Sequence, residues 1–531
     1  GGDSGEEEEE EEEEQEPGES GAQVVVSVID SGINPYHAFY HAGSEIYPTD
    51  APSAVTPAIK EQFGIDAAHT LSLTRTGDFN ADFAADAALW ASVQPGEVYW
   101  VEGTNILAVS FDPGTRILMP DDEDDTHGVG TSAAVLRANP EAVMLFVEGI
   151  TDASETFAFT HPSVDIVSTS YGAIGSLPLP GHINDSYTGV VTNGKLHLGA
   201  ADNSPSTAIQ DGTAGPWWSI GVAGYEEETS EGKQLVSGTL PDVVADFTQT
   251  LPYCASCEDG QQSVGGTSFA TPRTAGTLSA ILLTARREAG HLGPIADVDG
   301  VMTMAAGNGF SITNWDLRRA MEEAAYIPTL DEYDPVEGAF DTMGLPVPPA
   351  GAYALVGWGA ITTDPAHGVV TEALAQLGIG DAPTRSKSVD TCEFMASVVT
   401  ARHVYWDNLN VGSQSFLIGG PDDYRYCNAT DGGASVFGGG AALTASEAGA
   451  LSLGLPFPNP VRSQATVAFE LPADGAVRLA VYDLLGREVA VLAEGVRPAG
   501  AHTARVEAGS LASGAAETFR NPKNPQDASG A

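Results

Sequence analysis

Short apolar runs rich in β-branched residues recur over residues 23–380, and no other feature restricts the fold as much. Gln23–Ile29, Ile106–Phe111, Val143–Val147, Val164–Thr169, Leu196–Ala201 and Ser219–Ala223 run apolar, or nearly so, instead of alternating with polar residues. A strand that is apolar on both faces needs cover on both, which a parallel sheet with helices on either side supplies. Helical stretches do accompany these runs: Ala81–Ala91, Thr131–Ala138 and an apolar stretch from Ala275. Asn314–Ala325 follows with amphipathic spacing and a polar start, and Gly368–Leu377 reads as the last helix. The expected fold class is α/β, a parallel sheet flanked by helices. No run reaches the ~18 apolar residues a spanning helix needs, so no membrane span is expected.

Three chemically pointed residues fall at the ends of such elements. Asp30 closes the first run and precedes Ser31-Gly32, a carboxylate where open α/β sheets place their ligands. His127 follows the acidic loop Asp121–Asp125 and opens a small-residue helix, with carboxylates near enough to favour the imidazolium. Ser268 lies in Gly265-Gly-Thr-Ser-Phe-Ala-Thr-Pro272, where a glycine turn feeds a helix. Pro272 is expected within the first turn or so, where a missing N–H costs least. Unpaired N–H groups at that helix start suit a developing oxyanion. Taken singly, each is ordinary: Asp-Ser-Gly is a common turn, and a histidine after an acidic loop is commonly a solvated one. Together they are the groups of an acyl-transfer triad. A serine hydroxyl is a poor nucleophile until a neutral imidazole takes its proton, and a carboxylate holds that imidazole in the right tautomer. Chain order adds information, because Asp, then His, then Ser is one of the orders in which this constellation occurs.

Charge narrows the partners. The net charge is −51, from 73 acidic and 22 basic residues, and only five of the basic residues are lysine. Twelve carboxylates lie in Gly1–Ala22, so most of the acidity belongs to the rest of the chain. Such a charge repels nucleic acid and anionic membrane, and neither is expected as a partner. It also strains a compact state at low salt, and screening shortens its reach from about 10 Å at 0.1 M to about 3 Å at 1 M. A halophilic source is expected, with a merely acidic secreted protein as the alternative. Four cysteines are sparse. Cys254-x-x-Cys257 and the pair Cys392 and Cys427 suit two disulfides in an exported protein. A zinc site would use all four, from stretches in apparently different domains, and no thioredoxin-like frame surrounds the first pair. The N-terminus shows no charged-then-apolar leader, so such a segment is expected to have been removed or never to have been present.

On these residues the sequence resembles the subtilases, the subtilisin-like serine peptidases. Val28-Ile-Asp30-Ser-Gly-Ile33 is similar to the family's aspartate motif, and Gly266-Thr-Ser268-Phe-Ala-Thr-Pro272 to its serine motif. His127-Gly-Val-Gly-Thr-Ser132 is a looser counterpart of its histidine motif. Gly199-Ala-Ala-Asp202-Asn203-Ser204 is similar to the stretch holding the family's oxyanion-binding asparagine, with Asp202 in place of a glycine. The resemblance implies a subtilisin-like sheet and a serine endopeptidase, secreted or at the cell surface, that acts on extended polypeptide substrates. Ser268 would be the nucleophile, His127 the general acid and base, Asp30 its orienter, and Asn203 the oxyanion donor beside the Ser268 N–H. Ser168, Thr169, Ser170, Tyr171 and Gly172 would form an edge strand that pairs with the substrate backbone. No cofactor is required by this chemistry and no metal ligands are assigned. Calcium is common in the family, but Asp297-Val-Asp299-Gly300 reads as a turn. Sedolisins share the Gly-Thr-Ser motif and the fold but use a glutamate as base, so the His127-Gly motif favours the subtilases. The family's pro-domain has no counterpart, as in a mature or truncated form.

The expected domains are a disordered acidic tail over 1–22 and a catalytic domain over 23–380, with an insertion at about 40–115. A small β-rich segment and linker follow over 381–447, then a β-sandwich over 448–514 and a frayed tail over 515–531. Pro456-Phe-Pro-Asn-Pro460 and Val481-Tyr-Asp-Leu-Leu-Gly-Arg487 resemble the C-terminal sorting or FlgD-like immunoglobulin modules of secreted bacterial proteins. That resemblance implies bacterial secretion machinery as a partner. Two other functions stay open: a surface binding protein on a catalytically weak or inactive subtilase scaffold, and another hydrolase, such as an esterase, on the same triad.

Overall fold

Val25–Asp30 (β1) is buried along its whole length and stands at the middle of a ten-stranded sheet. The computed structural model describes residues 21–49, 53–172, 180–203, 213–216, 218–226, 235–237, 241–326 and 356–385, then 452–457, 464–471, 473, 475–482, 488–507 and 518–520. The chain divides into two units, Gly1–Phe437 and Gly438–Ala531. The expectations for residues 1–20, for Cys392 and Cys427, and for residues 386–447 lie outside the described residues; in the stretch 515–531, expected to be frayed, Thr518–Arg520 is instead a strand.

The other strands of the large sheet are β2 (Thr70–Leu71), β3 (Tyr99–Val101), β4 (Ile106–Ser110), β5 (Val143–Glu148), β6 (Ile166–Thr169), β7 (Leu196–Ala200), β8 (Ile220–Glu226), β9 (Leu235–Ser237) and β10 (Val243–Asp246). They follow the order β10-β8-β7-β6-β1-β5-β4-β3-β2, with β9 antiparallel beside β8. From β10 to β4 along that path all neighbours are parallel. Alternate residues of β1 explain why its run could not be half polar. Val24, Val26 and Val28 join the core beneath α4 (His127–Ala138) and α7 (Thr267–Ala289), while Val25 and Ile29 join a second core with Ala158 and Phe159 of α5 (Asp152–Thr160). Burial on both faces is what the apolar runs required. The expected α/β class, a large parallel sheet flanked by helices, is therefore what the chain adopts.

The stretch expected to hold an insertion lengthens the sheet at one edge. There β3 runs antiparallel to β4, and β2 pairs with β3. Tyr36 packs against Phe79, Phe83 and Trp90, and its hydroxyl donates to Asp86 while accepting from the Trp90 indole. Of the expected turn Asp297–Gly300, Asp297 and Val298 belong to a strand paired with Val301–Thr303, and Asp299-Gly300 is the two-residue hairpin turn, with left-handed φ of 54° and 86°. The hairpin of Thr248–Leu251 with Gln262–Gly265, which leads into the glycine turn before Ser268, had no counterpart among the expected elements. Its strands are only four residues each, too short for a periodic pattern to be read. Among the described residues, no helix is long and apolar enough to cross a membrane.

Within the second unit, Ser452–Phe457, Gln464–Leu471 and Gly500–Glu507 form one antiparallel sheet, and Glu488–Arg497, Gly475–Tyr482 and Thr518–Arg520 form another. Phe469, Leu471, Val477, Leu479, Ala493 and Ala504 from both sheets share one small core.

Candidate active site

The central strands run parallel, so their C-terminal ends lie along one margin of the sheet, and the candidate residues gather there. Asp30 is the last residue of β1, and Asn203 follows shortly after β7. His127 is the first residue of α4 and Ser268 the second of α7. Small residues let these two helices approach. A Cβ on Gly128 would lie 2.4 Å from the Gly32 carbonyl oxygen, and one on Gly276 would lie 2.4 Å from that of Val135. On Gly130 it would lie 2.7 Å from the Phe269 ring. Gly128 thus lets the histidine helix start close against the backbone after β1, while Gly130 and Gly276 let it approach the serine helix.

Asp30 is 4 % exposed at its side chain and collects three donors. The Ser31 N–H donates at 2.8 Å, the Thr131 hydroxyl at 2.9 Å, and His127 Nδ1 lies 2.9 Å from both carboxylate oxygens. A carboxylate can only accept here, so Nδ1 carries a proton and the neutral ring keeps its lone pair on Nε2. The attraction of Asp30 raises the His127 pKa above its ordinary value; burial opposes this, and the nearby Asp125 adds to it. Thr131 was not among the expected site residues. It lies four residues after His127, on the same face of α4, and that spacing is the signal that could have revealed it.

The serine side is built differently. Gly266, with φ of 153°, caps α7, and the Ser268 N–H is one of the first-turn donors that an α-helix leaves without an internal partner. Pro272 is the sixth helical residue rather than a first-turn one, because the helix already begins at Thr267. It cannot donate to the Ser268 carbonyl four residues back, a defect that costs a helix about 3 kcal/mol when nothing compensates. The Ser170 hydroxyl takes that place and donates to the Ser268 carbonyl at 2.8 Å. In return, the Ser268 hydroxyl donates to the Ser170 carbonyl at 3.3 Å. Among the described residues no hydrogen bond joins Ser268 to His127, although the imidazole lies 5.6 Å, centroid to centroid, from the ring of Phe269 next to it.

Asn203 meets the same turn. Its Oδ1 accepts from the Thr267 N–H at 2.8 Å and from the Thr267 hydroxyl at 3.0 Å, which orients the amide so that its NH2 points the other way. Asp202, which stands where the resembled family has a glycine, adopts a left-handed backbone with φ of 66°. Aspartate tolerates that region better than most residues, and its carboxylate accepts from the Asn203 N–H at 2.6 Å.

The edge role expected of Ser168 and Thr169 does not hold. Both lie in β6, between β1 and β7, where their backbones are paired on both sides and no strand can be added. Ser170, Tyr171 and Gly172 follow the end of β6, and Ser170 touches Ser268. Behind them sits a sealed polar cluster that sequence reasoning missed. The Tyr171 hydroxyl donates to Glu155 at 2.7 Å, and His182 Nδ1 lies 3.0 Å from the same oxygen. His197 bridges Thr169 and Ser219, and burial holds its pKa well below the ordinary value.

The expected Cys254–Cys257 disulfide is formed. No family model matches the sequence, and neither does any curated protein. Solved structures similar to the chain include the prenylagaramide maturation protease PagA, with TM-score 0.37, 12 % identity, and coverage of 67 % of this chain and 94 % of that one. The patellamide maturation protease PatA is similar with TM-score 0.35, 14 % identity, and coverage of 68 % and 98 %. Fervidolysin from Fervidobacterium pennivorans, described as a keratinolytic enzyme related to subtilisin, gives TM-score 0.36, 15 % identity, and coverage of 69 % and 44 %.

Proposed function

We propose that the chain is a subtilisin-like serine endopeptidase, secreted or held at the cell surface and adapted to salt. The observation that carries this reading is the Asp30–His127 pair at the mouth of the turn that presents Ser268. In the proposed reaction, Ser268 rotates about its Cα–Cβ bond from the Ser170 carbonyl toward His127 Nε2 and gives up its proton as it attacks the scissile carbonyl. The imidazolium so formed is stabilised by Asp30 and returns the proton to the leaving amine. Asn203 and the Ser268 N–H donate to the oxyanion, while Ser170–Gly172 align the extended polypeptide. An acyl-enzyme on Ser268 Oγ is then hydrolysed by water. No cofactor enters these steps; calcium as a structural ion and a secretion role for the C-terminal unit remain part of the same proposal.

Serine-directed labelling tests the mechanism. A fluorophosphonate probe should modify Ser268, and Ser268→Ala should abolish both labelling and casein hydrolysis, with a loss on the order of 10⁶ in kcat, as when subtilisin loses its nucleophile. Full activity in Ser268→Ala would overturn it. The Ser268–Ser170 hydrogen bond favours one second reading, a weak or inactive scaffold that binds polypeptides. In that case the wild-type chain binds casein and resists the probe. Salt adaptation predicts that melting temperature and activity rise together from low to molar NaCl, since screening relieves self-repulsion at net charge −51. A flat or falling response removes that part of the proposal.

A further inference from the structure

The loop 252–261 joins the two strands of the hairpin ahead of Ser268 and carries Cys254 and Cys257. His37, far away in sequence, is buried against it, with Nε2 2.8 Å from the Gly260 carbonyl oxygen and Nδ1 accepting from the Phe39 N–H at 3.1 Å. Asn34 fastens the same loop by donating to the carbonyls of Cys254 at 3.2 Å and Cys257 at 2.7 Å. One ligand-type atom from each of His37, Cys254 and Cys257 lies within 4.8 Å of the other two. Tetrahedral zinc with Zn–S near 2.3 Å and Zn–N near 2.0 Å sets its ligand atoms about 3.5–3.8 Å apart. The three groups are thus already gathered to within about an ångström of the spread a zinc ion needs; the two sulfurs, joined in the disulfide, must separate on reduction, and Cys-x-x-Cys is a zinc-ligand spacing.

We propose that reduction of the Cys254–Cys257 disulfide converts this spot into a metal site in which two thiolates and the His37 imidazole hold a divalent cation of the zinc class. A dithiol supplies two electrons and two protons, breaks the S–S bond, leaves two thiols and is itself oxidised to a disulfide. Binding the cation as a dithiolate releases those two protons to solvent. Disulfide and metal are therefore mutually exclusive. His37 binds through Nδ1, giving up the Phe39 N–H, and keeps its Nε2–H donation to the Gly260 carbonyl, which orients the ring as an outer-shell hydrogen bond does for a ligating histidine. Water fills the fourth position. The site is silent in the sequence because the third ligand comes from outside the loop; the reading that needed all four cysteines does not apply to it.

The loop touches the Ser268 helix and the acidic loop that leads into the His127 helix. Tyr253 packs edge-on against Phe269 at 5.9 Å between centroids, and the Ala255 N–H and Ser256 hydroxyl both donate to Glu123, just ahead of His127. The metal site nevertheless stands or falls independently of peptidase activity.

The test is a Co2+ titration of the full chain, oxidised or reduced with a dithiol that is then removed without air. Thiolate-to-cobalt absorption in the near ultraviolet should appear only in the reduced chain, at one ion per chain. It should persist in Cys392→Ser/Cys427→Ser, vanish in Cys254→Ser/Cys257→Ser, and require at least about tenfold more Co2+ in His37→Asn, since even outer-shell losses cost about 10–100-fold. No band in the reduced chain, a band that follows Cys392 and Cys427, or unchanged affinity in His37→Asn would each overturn the proposal. X-ray absorption of the zinc-loaded, reduced wild-type chain needs no variant. Two sulfurs and one nitrogen from imidazole support the site, and any other count of sulfurs refutes it.

Discussion

The chain uses one chemical pair twice, with opposite results. His127 Nδ1 faces Asp30 at 2.9 Å and His182 Nδ1 faces Glu155 at 3.0 Å, yet the two histidine side chains are 35 % and 1 % exposed. Both carboxylates are buried, so the difference lies in the far side of each imidazole. At His127 that side is open, as the proposed exchange of a proton with a hydroxyl and a leaving group requires. At His182, Nε2 is enclosed and has no hydrogen-bond partner among the described residues. There the pair, with Tyr171, braces the segment whose Ser170 touches Ser268. A histidine–carboxylate contact therefore does not define a catalytic base. A base also needs access to its second ring nitrogen.

The strongest way to break this contrast is to neutralise both carboxylates. Asp30→Asn should lower kcat by about 10⁴, the cost of losing the orienting carboxylate in a Ser-His-Asp triad, with little change in the fold. Glu155→Gln should instead cost about 1–3 kcal/mol of stability, read as a lower melting temperature, with kcat changed less than about tenfold. Equal kcat losses in the two variants would erase the distinction. Asn203→Ala comes next. Removing an oxyanion donor should reduce kcat by about 10²–10³ with a smaller change in KM, whereas a purely structural role for its contacts with Thr267 would lower the melting temperature and leave kcat near normal.

The smallest effect concerns pH. Because Asp30 raises the His127 pKa and catalysis needs the neutral ring, the acid limb of kcat/KM should lie above the ordinary imidazole value of 6.5. Asp125→Asn removes a lesser source of that rise and should move the limb to lower pH. An upward or absent shift would show that Asp125 does not act on His127. The same linkage has the opposite sign for stability. Protonated His127 is favoured in the folded chain, so its contribution is complete below the unfolded value and is lost as pH rises through the raised folded value. Catalysis thus gains where this part of the stability declines.

Much of the frame was legible because it is local. The continuous apolar character of Gln23–Ile29 demanded cover on both faces, and β1 has it. The glycine turn before Ser268 and the acidic loop before His127 both lead into helices, as expected. The errors came where a neighbour decided the outcome. Ser168 and Thr169 look suited to an edge but lie between β1 and β7, and strand order is not written in a strand's own composition. Pro272 looked like a first-turn proline; its place in the second turn is tolerated because Ser170, about a hundred residues earlier, supplies the missing donor.

By itself, then, the sequence determined where strands end and helices begin, and it set Asp30, His127 and Ser268 at those junctions. Side-chain period and turn chemistry act over a few residues, and a single chain displays them directly. Only the tertiary structure decided that Thr131 completes the shell of Asp30, that Ser170 and Ser268 clasp each other, and that His37 reaches the Cys254–Cys257 loop. Those contacts join residues far apart in the chain. They depend on strand order and on how closely glycine lets two helices approach, quantities that no local stretch contains.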